Sequence, residues 1–309
     1  MNIFVTGLTG AVGSYLADHL VHTNLEIYAL VSKPEKLAPH VKTAKNIHLV
    51  LGTLETISDH KDIIYKCESI LHIATNWVDR NDDDNSVNRK QTLEMLSYVN
   101  PKIVEKIIIF STASVLGRGN QLLPEANKYG TGYIKSKYDL YVTLKDHPLH
   151  DKIITVFPTM VLSGDNTHQY SHIGEGLKTA KSFIKWARFI SLEGSFHFIH
   201  ADDIAKITLY LLSHDTDKSD YVLGNPATTL DSLVNETAKY FGYRVYFKIP
   251  IFIGFILFLA KLLGKKIEPY SQFCMEYKHF VYDVVDAKSF GLKSNYDTWT
   301  KVLASIESH

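Results

Sequence analysis

Short apolar segments alternate with amphipathic segments through the first half of the chain. Six apolar segments of strand length lie at 3–5, 27–31, 47–51, 69–73, 107–110 and 153–157. Patterns with helical spacing lie between them, near 14–22, 56–66, 87–99 and 131–145. This alternation is typical of a parallel sheet that helices cover on both faces. We therefore predict an α/β fold with a doubly wound parallel sheet, whose ligand crevice lies beyond the carboxyl ends of its strands.

The second half of the chain contains one further strand pattern and one prominent apolar run. The strand is expected near 221–224, and helices near 203–212, 230–241 and 299–306. The apolar run, 249–263, is shorter than the roughly 20 residues that span a bilayer. With Pro250 in its first turn, it predicts a helix that is buried or lines an apolar site. A membrane-surface helix is the less favoured alternative, with basic ends formed by Lys248, Lys261, Lys265 and Lys266.

Composition and charge argue against several classes of protein. The 309 residues are 45% hydrophobic and 21% charged, which is typical of a globular chain with a large core. Lys and Arg together number 33, as do Asp and Glu, so the overall charge favours neither a nucleic-acid partner nor an acidic membrane surface. Cys67 and Cys274 are too few for a disulfide framework and form no zinc motif, so we expect no metal. Because the chain begins with a strand, we expect no signal peptide and a cytoplasmic protein.

A glycine-rich segment joins the first strand to the first helix. Residues 6–13 read Thr-Gly-Leu-Thr-Gly-Ala-Val-Gly. Glycines let the backbone approach a pyrophosphate, and the helix N-terminus presents unpaired N–H groups to it. A flexible loop is the alternative, but the position between strand and helix favours a dinucleotide site. Its candidate residues are Gly7, Thr9, Gly10, Ala11, Val12 and Gly13.

The end of the second strand bears on the choice between NAD and NADP. An acidic residue there binds the adenosine ribose hydroxyls, whereas a basic residue suits a 2′-phosphate. The chain reads Ser32-Lys33-Pro34 and has no acid before Glu35. Ser32 offers a hydrogen bond and Lys33 a positive charge, so we favour NADP(H) over NAD(H). A plain polar turn before Pro34 is the alternative.

A strand end that is rich in hydroxyl groups precedes a Tyr-x-x-x-Lys pair. Ser111, Thr112 and Ser114 follow the fifth strand, and Tyr133 and Lys137 come about twenty residues later. Tyr133 and Lys137 share one face of a predicted helix, and a nearby ammonium lowers the pKa of a phenol. Tyr133 is therefore a candidate acid or base near neutral pH.

Two other pairs have the same spacing and argue for caution. Tyr98 and Lys102 are one pair, but Pro101 interrupts the helix between them. Tyr141 and Lys145 are the other, and no hydroxyl-rich strand end lies at a comparable distance before them. The sequence context therefore favours Tyr133 and Lys137 over the other two pairs as the catalytic candidates.

Taken together, these segments resemble the extended, epimerase/dehydratase-type branch of the short-chain dehydrogenase/reductase superfamily. The resemblance covers nearly the whole chain and rests on Thr6-Gly7-x-x-Gly10-x-x-Gly13, Leu71-His72-Ile73-Ala74, Phe110-Ser111-Thr112-Ala113-Ser114-Val115-x-Gly117, Tyr133-x-x-x-Lys137 and 198–205. It implies that Tyr133 transfers a proton, that Lys137 binds the nicotinamide ribose and tunes Tyr133, and that Thr112 polarises the substrate oxygen. It adds Thr53, Leu54, Ala74 and Pro158 to the cofactor-binding candidates. It also implies a Rossmann domain over 1–160, returning near 196–225, and a smaller C-terminal substrate-binding lobe mainly over 161–309.

The chain departs from this family at three points. Gly52-Thr53-Leu54 replaces a usual Gly-Asp-Leu, whose Asp contacts the adenine. Pro158 is kept, but a Tyr-Gly-Pro-Gly turn that usually follows is absent. Phe196 stands where nucleotide-sugar epimerases tend to place an Arg for the substrate diphosphate, and Arg188 is a possible substitute. The first departure implies that the adenine contact is changed or lost, and the third weakens the case for a nucleotide-sugar substrate.

The favoured hypothesis is an NAD(P)-dependent oxidoreductase that transfers hydride between nicotinamide and a carbonyl or carbinol carbon. A nucleotide-sugar epimerase or dehydratase with tightly bound NAD is the first alternative. A non-catalytic, dinucleotide-sensing regulator is the second, and the Tyr133/Lys137 pair disfavours it. For either enzyme the partner is a small molecule, a carbonyl compound or a nucleotide-sugar. The resemblance also implies a homodimer formed through the helices near 87–99 and 131–145.

Overall fold

The computed structural model describes residues 1–76 and 86–307. Its strands are β1 Asn2–Thr6, β2 Glu26–Val31, β3 Ile47–Leu51, β4 Ser69–His72, β5 Lys106–Phe110, β6 Ile153–Pro158, β7 Met160–Leu162, β8 Ile190–Ser191, β9 Ser195–Phe196, β10 Phe198–His200, β11 Asp220–Leu223, β12 Thr228–Thr229 and β13 Ile249–Pro250. Its helices are α1 Ala11–Leu20, α2 Pro39–Lys42, α3 Lys61–Ile64, α4 Ser86–Ser97, α5 Pro124–Tyr129, α6 Gly132–Lys145, α7 His172–Leu177, α8 Ala180–Ala187, α9 Ala201–Ser213, α10 Leu230–Tyr240, α11 Ile253–Leu262, α12 Pro269–Tyr277 and α13 Trp299–Glu307.

Seven strands form one parallel sheet in the order β11-β6-β5-β4-β1-β2-β3. The order reverses around β1, which lies between β2 and β4, and this is the doubly wound arrangement. Each of the six predicted strands of the first half is a strand of this sheet, and the predicted strand near 221–224 is its edge strand β11. The predicted fold class is therefore confirmed.

The two faces of the sheet are covered by different helix pairs. Ile3 and Val5 of β1 pack into a core cluster with α1 and α9, which contact each other. Phe4, between them in sequence, packs into the opposite cluster with α4 and α6. Successive strand side chains point to opposite faces, so a nearly continuous apolar strand is buried on both sides.

The segment at 249–263 differs from its prediction. Pro250 lies in the short strand β13, which pairs with β8, and α11 begins only at Ile253. Phe252 and Phe255 are exposed, and none of the described side chains of α11 is buried or lines the main cavity. The prediction of a buried helix, or one lining an apolar site, is therefore wrong for these residues. Apolar composition indicates that a segment favours an apolar environment, but it does not specify whether the rest of the chain packs against that segment.

The chain between β6 and β11 leaves the main sheet and returns to it. Small two-stranded pairings, β7 with β10 and β9 with β12, connect the C-terminal elements. The division into a domain over 1–160 and a lobe mainly over 161–309 stays a prediction, as does the dimer through α4 and α6. Among the helices of the described residues, none is both long and apolar enough to cross a bilayer.

Candidate active site

A cavity of about 1240 Å³ opens at the carboxyl ends of the central strands. The residues that directly follow β1 to β6 all contribute to its lining, namely Gly7, Ser32, Gly52, Ile73, Ser111 and Thr159. Small-molecule pockets typically measure about 300–1,000 Å³. This cavity is therefore large enough for a dinucleotide beside a second small molecule.

The glycine-rich loop forms one wall of this cavity, and close contacts require glycine at positions 7 and 13. Gly7 has a positive φ of 90°, and a Cβ there would lie 2.6 Å from the backbone nitrogen of Ala74. A Cβ on Gly13 would overlap the carbonyl oxygen of Gly7. Gly10 is the N-cap of α1 and supplies no side-chain hydrogen bond to the helix. The first N–H groups of α1 therefore face a cavity that a diphosphate can enter.

A buried hydrogen-bond chain holds this loop against β4. The backbone N–H of Ala74 donates to Thr6 Oγ1 at 3.3 Å, and Thr6 Oγ1 lies 2.9 Å from Nδ1 of His72. Nε2 of His72 lies 2.8 Å from Thr92 Oγ1 on α4. Burial, together with the nearby charge of Lys137, lowers the pKa of His72 to about 3. His72 is therefore neutral and joins the glycine loop to the helix α4, a role that its sequence motif did not reveal.

At the opposite end of the cavity, the residues after β2 and β3 surround the expected adenosine position. Ser32 and Lys36 line the cavity, whereas Lys33 is not among its lining residues. A short 3-10 turn over 34–36 directs Lys36 back towards the cavity, and the sequence pattern gave no sign of this turn. Thr53 and Leu54 also line the cavity, with Thr53 capping the helix that follows.

The remaining predicted cofactor contacts, Gly7, Thr9, Gly10, Ala11, Val12, Gly13, Ala74, Lys137 and Pro158, also line the cavity. All of the predicted contacts except Lys33 are therefore brought to one site. Their individual roles stay predictions.

The three candidate catalytic residues meet at the centre of the cavity. Tyr133 shares a hydrogen bond with the Thr112 side chain. Lys137, one helical turn later, is almost completely buried, and its Nζ donates to the carbonyl oxygen of Phe110 at 2.7 Å. All three catalytic candidates line the cavity. Helix α6, which carries Tyr133 and Lys137, begins at the cap Thr131, whose hydroxyl accepts from the backbone of Ile134.

Burial determines the acid–base properties of this group. The pKa of Tyr133 is raised by burial, and the hydrogen bond with Thr112 only partly offsets that rise. The expectation that the ammonium lowers the phenol pKa is therefore wrong for the protein without ligands. Burial also lowers the pKa of Lys137 to about 8. Near neutral pH, Tyr133 is a protonated phenol and Lys137 is mostly a cation.

A polar network between α4 and α6 supports the position of Tyr133. Asn88 Nδ2 donates to Ser136 Oγ at 3.1 Å, and Ser136 Oγ donates to the carbonyl oxygen of Tyr133 at 2.8 Å. The carboxamide oxygen of Asn88 accepts from the backbone N–H of Asn76 at 2.7 Å. Asn88 is buried and thus positions both α6 and the chain after β4, and sequence reasoning missed it.

The other Tyr-x-x-x-Lys pairs are engaged elsewhere. The Tyr141 hydroxyl donates to Asp220 at 2.8 Å, and Lys145 forms an ion pair with the same carboxylate at 2.6 Å. The Tyr98 hydroxyl donates to Glu94 at 3.0 Å. None of these tyrosine and lysine side chains lines the cavity. Among the three pairs with this spacing, the pair at 133 and 137 is therefore the one that lies at the candidate site.

Beyond Tyr133, several aromatic side chains line the cavity. The hydroxyl of Tyr270 donates to the carbonyl oxygen of Ser114 at 2.8 Å, and that of Tyr282 to Ala113 at 3.0 Å. These bonds join the C-terminal elements to the strand end that carries Thr112. Tyr170, Phe196, Cys274 and Phe280 also line this wall.

The described residues that line the cavity include no arginine. Arg188, the possible substitute for the missing diphosphate contact, packs its guanidinium over the rings of Phe189 and Tyr243 instead. His197, which follows Phe196, hydrogen-bonds the carbonyl of Asn225 and the N–H of Tyr282. Burial lowers the pKa of His197, so this ring is neutral and adds no positive charge to the wall.

In the segment 163–173, where the family's usual turn is missing, residues 169–173 line the cavity. His168 joins this segment to α1, because its Nδ1 lies 2.7 Å from Asp165 and its Nε2 lies 2.8 Å from Asp18. The ring of His168 also stacks on Tyr15 at 3.8 Å. The segment is thus attached to the same helix that presents its N-terminus to the cavity.

Comparison with known proteins identifies the family. A model of the NAD-dependent epimerase/dehydratase family matches residues 3–224, which include the glycine loop, Thr112 and the Tyr133/Lys137 pair. The chain belongs to this family. The match confirms the resemblance that the motifs indicated, and the chain is accordingly of the NAD(P)-dependent, extended short-chain dehydrogenase/reductase type.

Relatives within and around the family include reductases and epimerases. The chain is 25% identical over 259 residues to dihydroflavonol 4-reductase of Gerbera hybrida, covering 75% of this chain and 70% of that protein. It is 23% identical over 276 residues to anthocyanidin reductase of Arabidopsis thaliana, covering 76% and 80%. The fold matches UDP-N-acetylglucosamine 4-epimerase of Methanobrevibacter ruminantium, solved with UDP-N-acetylmuramic acid, with a TM-score of 0.69, 16% identity and 99% and 97% coverage.

The cavity fits the NAD(P) group that the epimerase/dehydratase family implies. The loop can bring the N-terminus of α1 to the cavity only because Gly7 and Gly13 have no Cβ, which would overlap the backbone of Ala74 and of Gly7. The hydroxyl oxygen of Ser111, buried in the cavity wall, has no hydrogen-bond partner among the described residues. A buried hydroxyl without a partner is costly, and a bound polar group would satisfy it.

Proposed function

We propose that the protein is an NADP(H)-dependent reductase of the epimerase/dehydratase family that acts on a carbonyl compound with an apolar, aromatic body. The aromatic cavity wall, without an arginine among the described lining residues, is the observation that carries this proposal. A nucleotide-sugar diphosphate needs charged partners, whereas an aromatic substrate gains from stacking and burial. The two reductases among the relatives support the same class of reaction.

The proposed roles of the residues follow from their protonation states. When bound, the nicotinamide supplies the hydride to the carbonyl carbon. Tyr133, kept protonated by burial, donates its proton to the carbonyl oxygen as negative charge develops there. Thr112, hydrogen-bonded to Tyr133, orients that oxygen. Lys137 contributes a buried positive charge next to the reacting groups, which stabilises the developing anion.

The preference for NADP(H) belongs to this proposal. Ser32 and Lys36 line the adenosine end of the cavity, and no acid lies between 32 and 34. A serine hydroxyl and an ammonium suit a 2′-phosphate. We therefore assign to Lys36 the role that the sequence suggested for Lys33.

The test is reduction of a panel of aromatic aldehydes and ketones with NADPH. Tyr133→Phe is expected to lower kcat/KM by about 10²–10⁴-fold, because the proton donor is lost. Binding of NADPH, measured by fluorescence, is expected to be unchanged in this variant. Tyr141→Phe is the matched control, since Tyr141 belongs to a pair of the same spacing but bonds Asp220 instead. Full turnover by Tyr133→Phe would show that the assignment of the proton donor is wrong.

A nucleotide-sugar epimerase is the second candidate, favoured by the fold match to an epimerase solved with a UDP-sugar ligand. An epimerase regenerates its cofactor and tends to retain it, so the purified protein would release near-stoichiometric NAD on denaturation. Turnover of a UDP-sugar by such a protein would replace the reductase proposal. A protein that is free of nucleotide and inert towards UDP-, GDP- and dTDP-sugars would exclude this candidate.

A further inference from the structure

Large apolar side chains are exposed mainly on one part of the molecule. Among the described residues, nine of the 17 exposed large hydrophobic side chains lie in 183–186 and 246–263. They are Phe183, Trp186, Tyr246, Phe247, Ile249, Phe252, Phe255, Leu262 and Leu263, and together they are called the apolar surface here. Trp186 is 70% exposed and Phe252 is 76% exposed. A concentration of exposed apolar groups of this kind marks an interaction site.

The two segments that form the apolar surface are neighbours in space. Strand β8, which follows α8, pairs with β13, which precedes α11. The N–H of Ile249 donates to the carbonyl oxygen of Phe189 at 2.8 Å, and the rings of Phe189 and Phe247 stack at 5.0 Å. On α8, Phe183 and Trp186 are three residues apart and share the outer face, whereas Ile184 is buried.

The charge of these segments is strongly positive, although the whole chain is neutral. Residues 176–190 and 242–267 contain nine Lys and Arg and no Asp or Glu. Lys265 and Lys266 are exposed directly after the last residues of the apolar surface. Lys185 lies 5.6 Å from the ring of Trp186. Two of the nine basic groups are paired with carboxylates, Lys248 with Asp231 of α10 at 3.2 Å and Lys178 with Glu175 at 3.0 Å.

We propose that the apolar surface docks the protein on membranes that carry anionic lipids. Trp, Phe and Leu side chains beside lysines are the combination that binds the headgroup region of such membranes, because the rings enter the acyl boundary while the lysines meet the phosphates. The attachment is peripheral, since among the helices of the described residues none is long and apolar enough to cross a bilayer. A second copy of the chain is a poorer occupant, because a two-fold contact would place two positive surfaces against each other.

The first experiment is flotation of the full-length protein with vesicles of two compositions. One is phosphatidylcholine alone, and the other is phosphatidylcholine and phosphatidylglycerol at about seven to three. We expect the protein to float with the anionic vesicles, to float weakly or not at all with the neutral ones, and to be released as salt is raised. Fluorescence of Trp186 is expected to shift to the blue on binding, and the shift should be absent in Trp186→Phe.

Two pairs of substitutions separate the apolar and the electrostatic contributions. Trp186→Ser with Phe252→Ser, and separately Lys265→Glu with Lys266→Glu, are each expected to weaken vesicle binding about tenfold or more. The matched controls are Leu51→Ser, which alters an exposed apolar residue of the edge strand β3, and Lys61→Glu with Lys66→Glu. The controls are expected to bind as the native protein does, and circular dichroism checks that every variant is folded.

Three outcomes would overturn the proposal. The first is that the native protein does not float with anionic vesicles. The second is that all variants bind these vesicles as tightly as the native protein does. The third is that the protein binds neutral and anionic vesicles equally well at every salt concentration. Sedimentation without vesicles tests the second copy as an occupant. A native dimer that Trp186→Ser with Phe252→Ser converts to a monomer, together with absent vesicle binding, would assign the surface to self-association.

Discussion

Lys137 is a cation held almost completely out of water, and its surroundings determine its protonation. Its Nζ donates to the Phe110 carbonyl at 2.7 Å, and burial lowers its pKa to about 8. The native protein without ligands therefore holds this proton less tightly than an unfolded chain, in which a lysine has its ordinary pKa of about 10.4. Near neutral pH the charged Lys137 side chain carries an unfavourable desolvation energy. A negative charge developing on a nearby substrate oxygen would offset that energy.

This arrangement predicts how stability depends on pH at one residue. Between about pH 8 and 10.4 the unfolded chain binds the Lys137 proton and the native chain does not, so native stability rises with pH. Relative to Lys137→Met, the free energy of unfolding of the native protein should increase by roughly 2–3 kcal/mol over this range. Urea unfolding of the cofactor-free proteins at several pH values measures the difference.

Lys145→Met is the matched control for that experiment. Burial acts to lower the pKa of Lys145, but its bonds to Asp220 and Tyr141 outweigh burial and raise it. A raised pKa stabilises the fold below the unfolded pKa, and that contribution is lost as pH rises through the folded pKa. The difference between the native protein and Lys145→Met should therefore show no increase between pH 8 and 10.4. If the free energy of unfolding of Lys137→Met and of Lys145→Met changed with pH in the same way, the proposed effect of burial on Lys137 would be contradicted.

At the scale of elements, the glycine loop allows α1 to pack closely against the chain that follows β1 and β4. Gly13, at the third position of α1, lies against the carbonyl of Gly7, and Gly7 lies against the backbone of Ala74 after β4. This packing brings the helix N-terminus to the carboxyl ends of β1 and β4. The same glycines that permit the fold therefore also place the helix N-terminus where a diphosphate could reach it.

A substitution in this loop should affect stability and cofactor binding together. Gly13→Ala places a methyl group in the Gly7 carbonyl, so α1 must move, and we expect a loss of about 2 kcal/mol or more of unfolding free energy. NAD(P)H binding should weaken as well. Gly176→Ala is the control, because Gly176 also lies in a helix and a Cβ there meets nothing within 4 Å. Equal stability of the two variants, measured by urea unfolding, would refute the close-packing argument.

At the scale of the whole molecule, the cavity is built by segments from widely separated parts of the chain. Residues that follow β1 form the proposed diphosphate wall, those after β2 and β3 the proposed adenosine end, and the C-terminal elements contribute aromatic side chains. A ligand that contacts all of these segments binds only the folded state, so it stabilises the entire molecule. At a concentration about 100-fold above its Kd, such a ligand adds about 2.7 kcal/mol to the free energy of unfolding.

This linkage gives a test of cofactor preference that needs no substrate. At equal concentrations, NADPH is expected to raise the melting temperature more than NADH. Lys36→Ala should weaken NADPH binding by roughly tenfold and leave the NADH shift unchanged, because only NADPH carries the 2′-phosphate. Lys33→Ala should keep the native preference, since Lys33 does not line the cavity. Equal shifts for both cofactors in the native protein would remove the case for NADP(H).

Much of the fold and part of the site were determined by local sequence. The alternation of apolar strands with helical segments indicated the parallel sheet, and the family match confirmed the resemblance drawn from short motifs. These features are readable because strand burial, glycine spacing and the spacing of Tyr133 and Lys137 are properties of nearby residues. The position of the cavity followed from the same rule, since parallel strands end at one edge of the sheet.

Only the tertiary structure decided how those residues behave. The pKa of Tyr133 is raised, although the sequence suggested the reverse, because burial depends on the whole surrounding chain. Lys36 lines the cavity and Lys33 does not, because the short 3-10 turn that begins at Pro34 brings Lys36 back towards the cavity. None of the described side chains of the apolar run at 249–263 is buried, and the periodicity of the run does not specify which surface would cover it. Local pattern thus determines what a segment can form, and long-range packing determines what surrounds it.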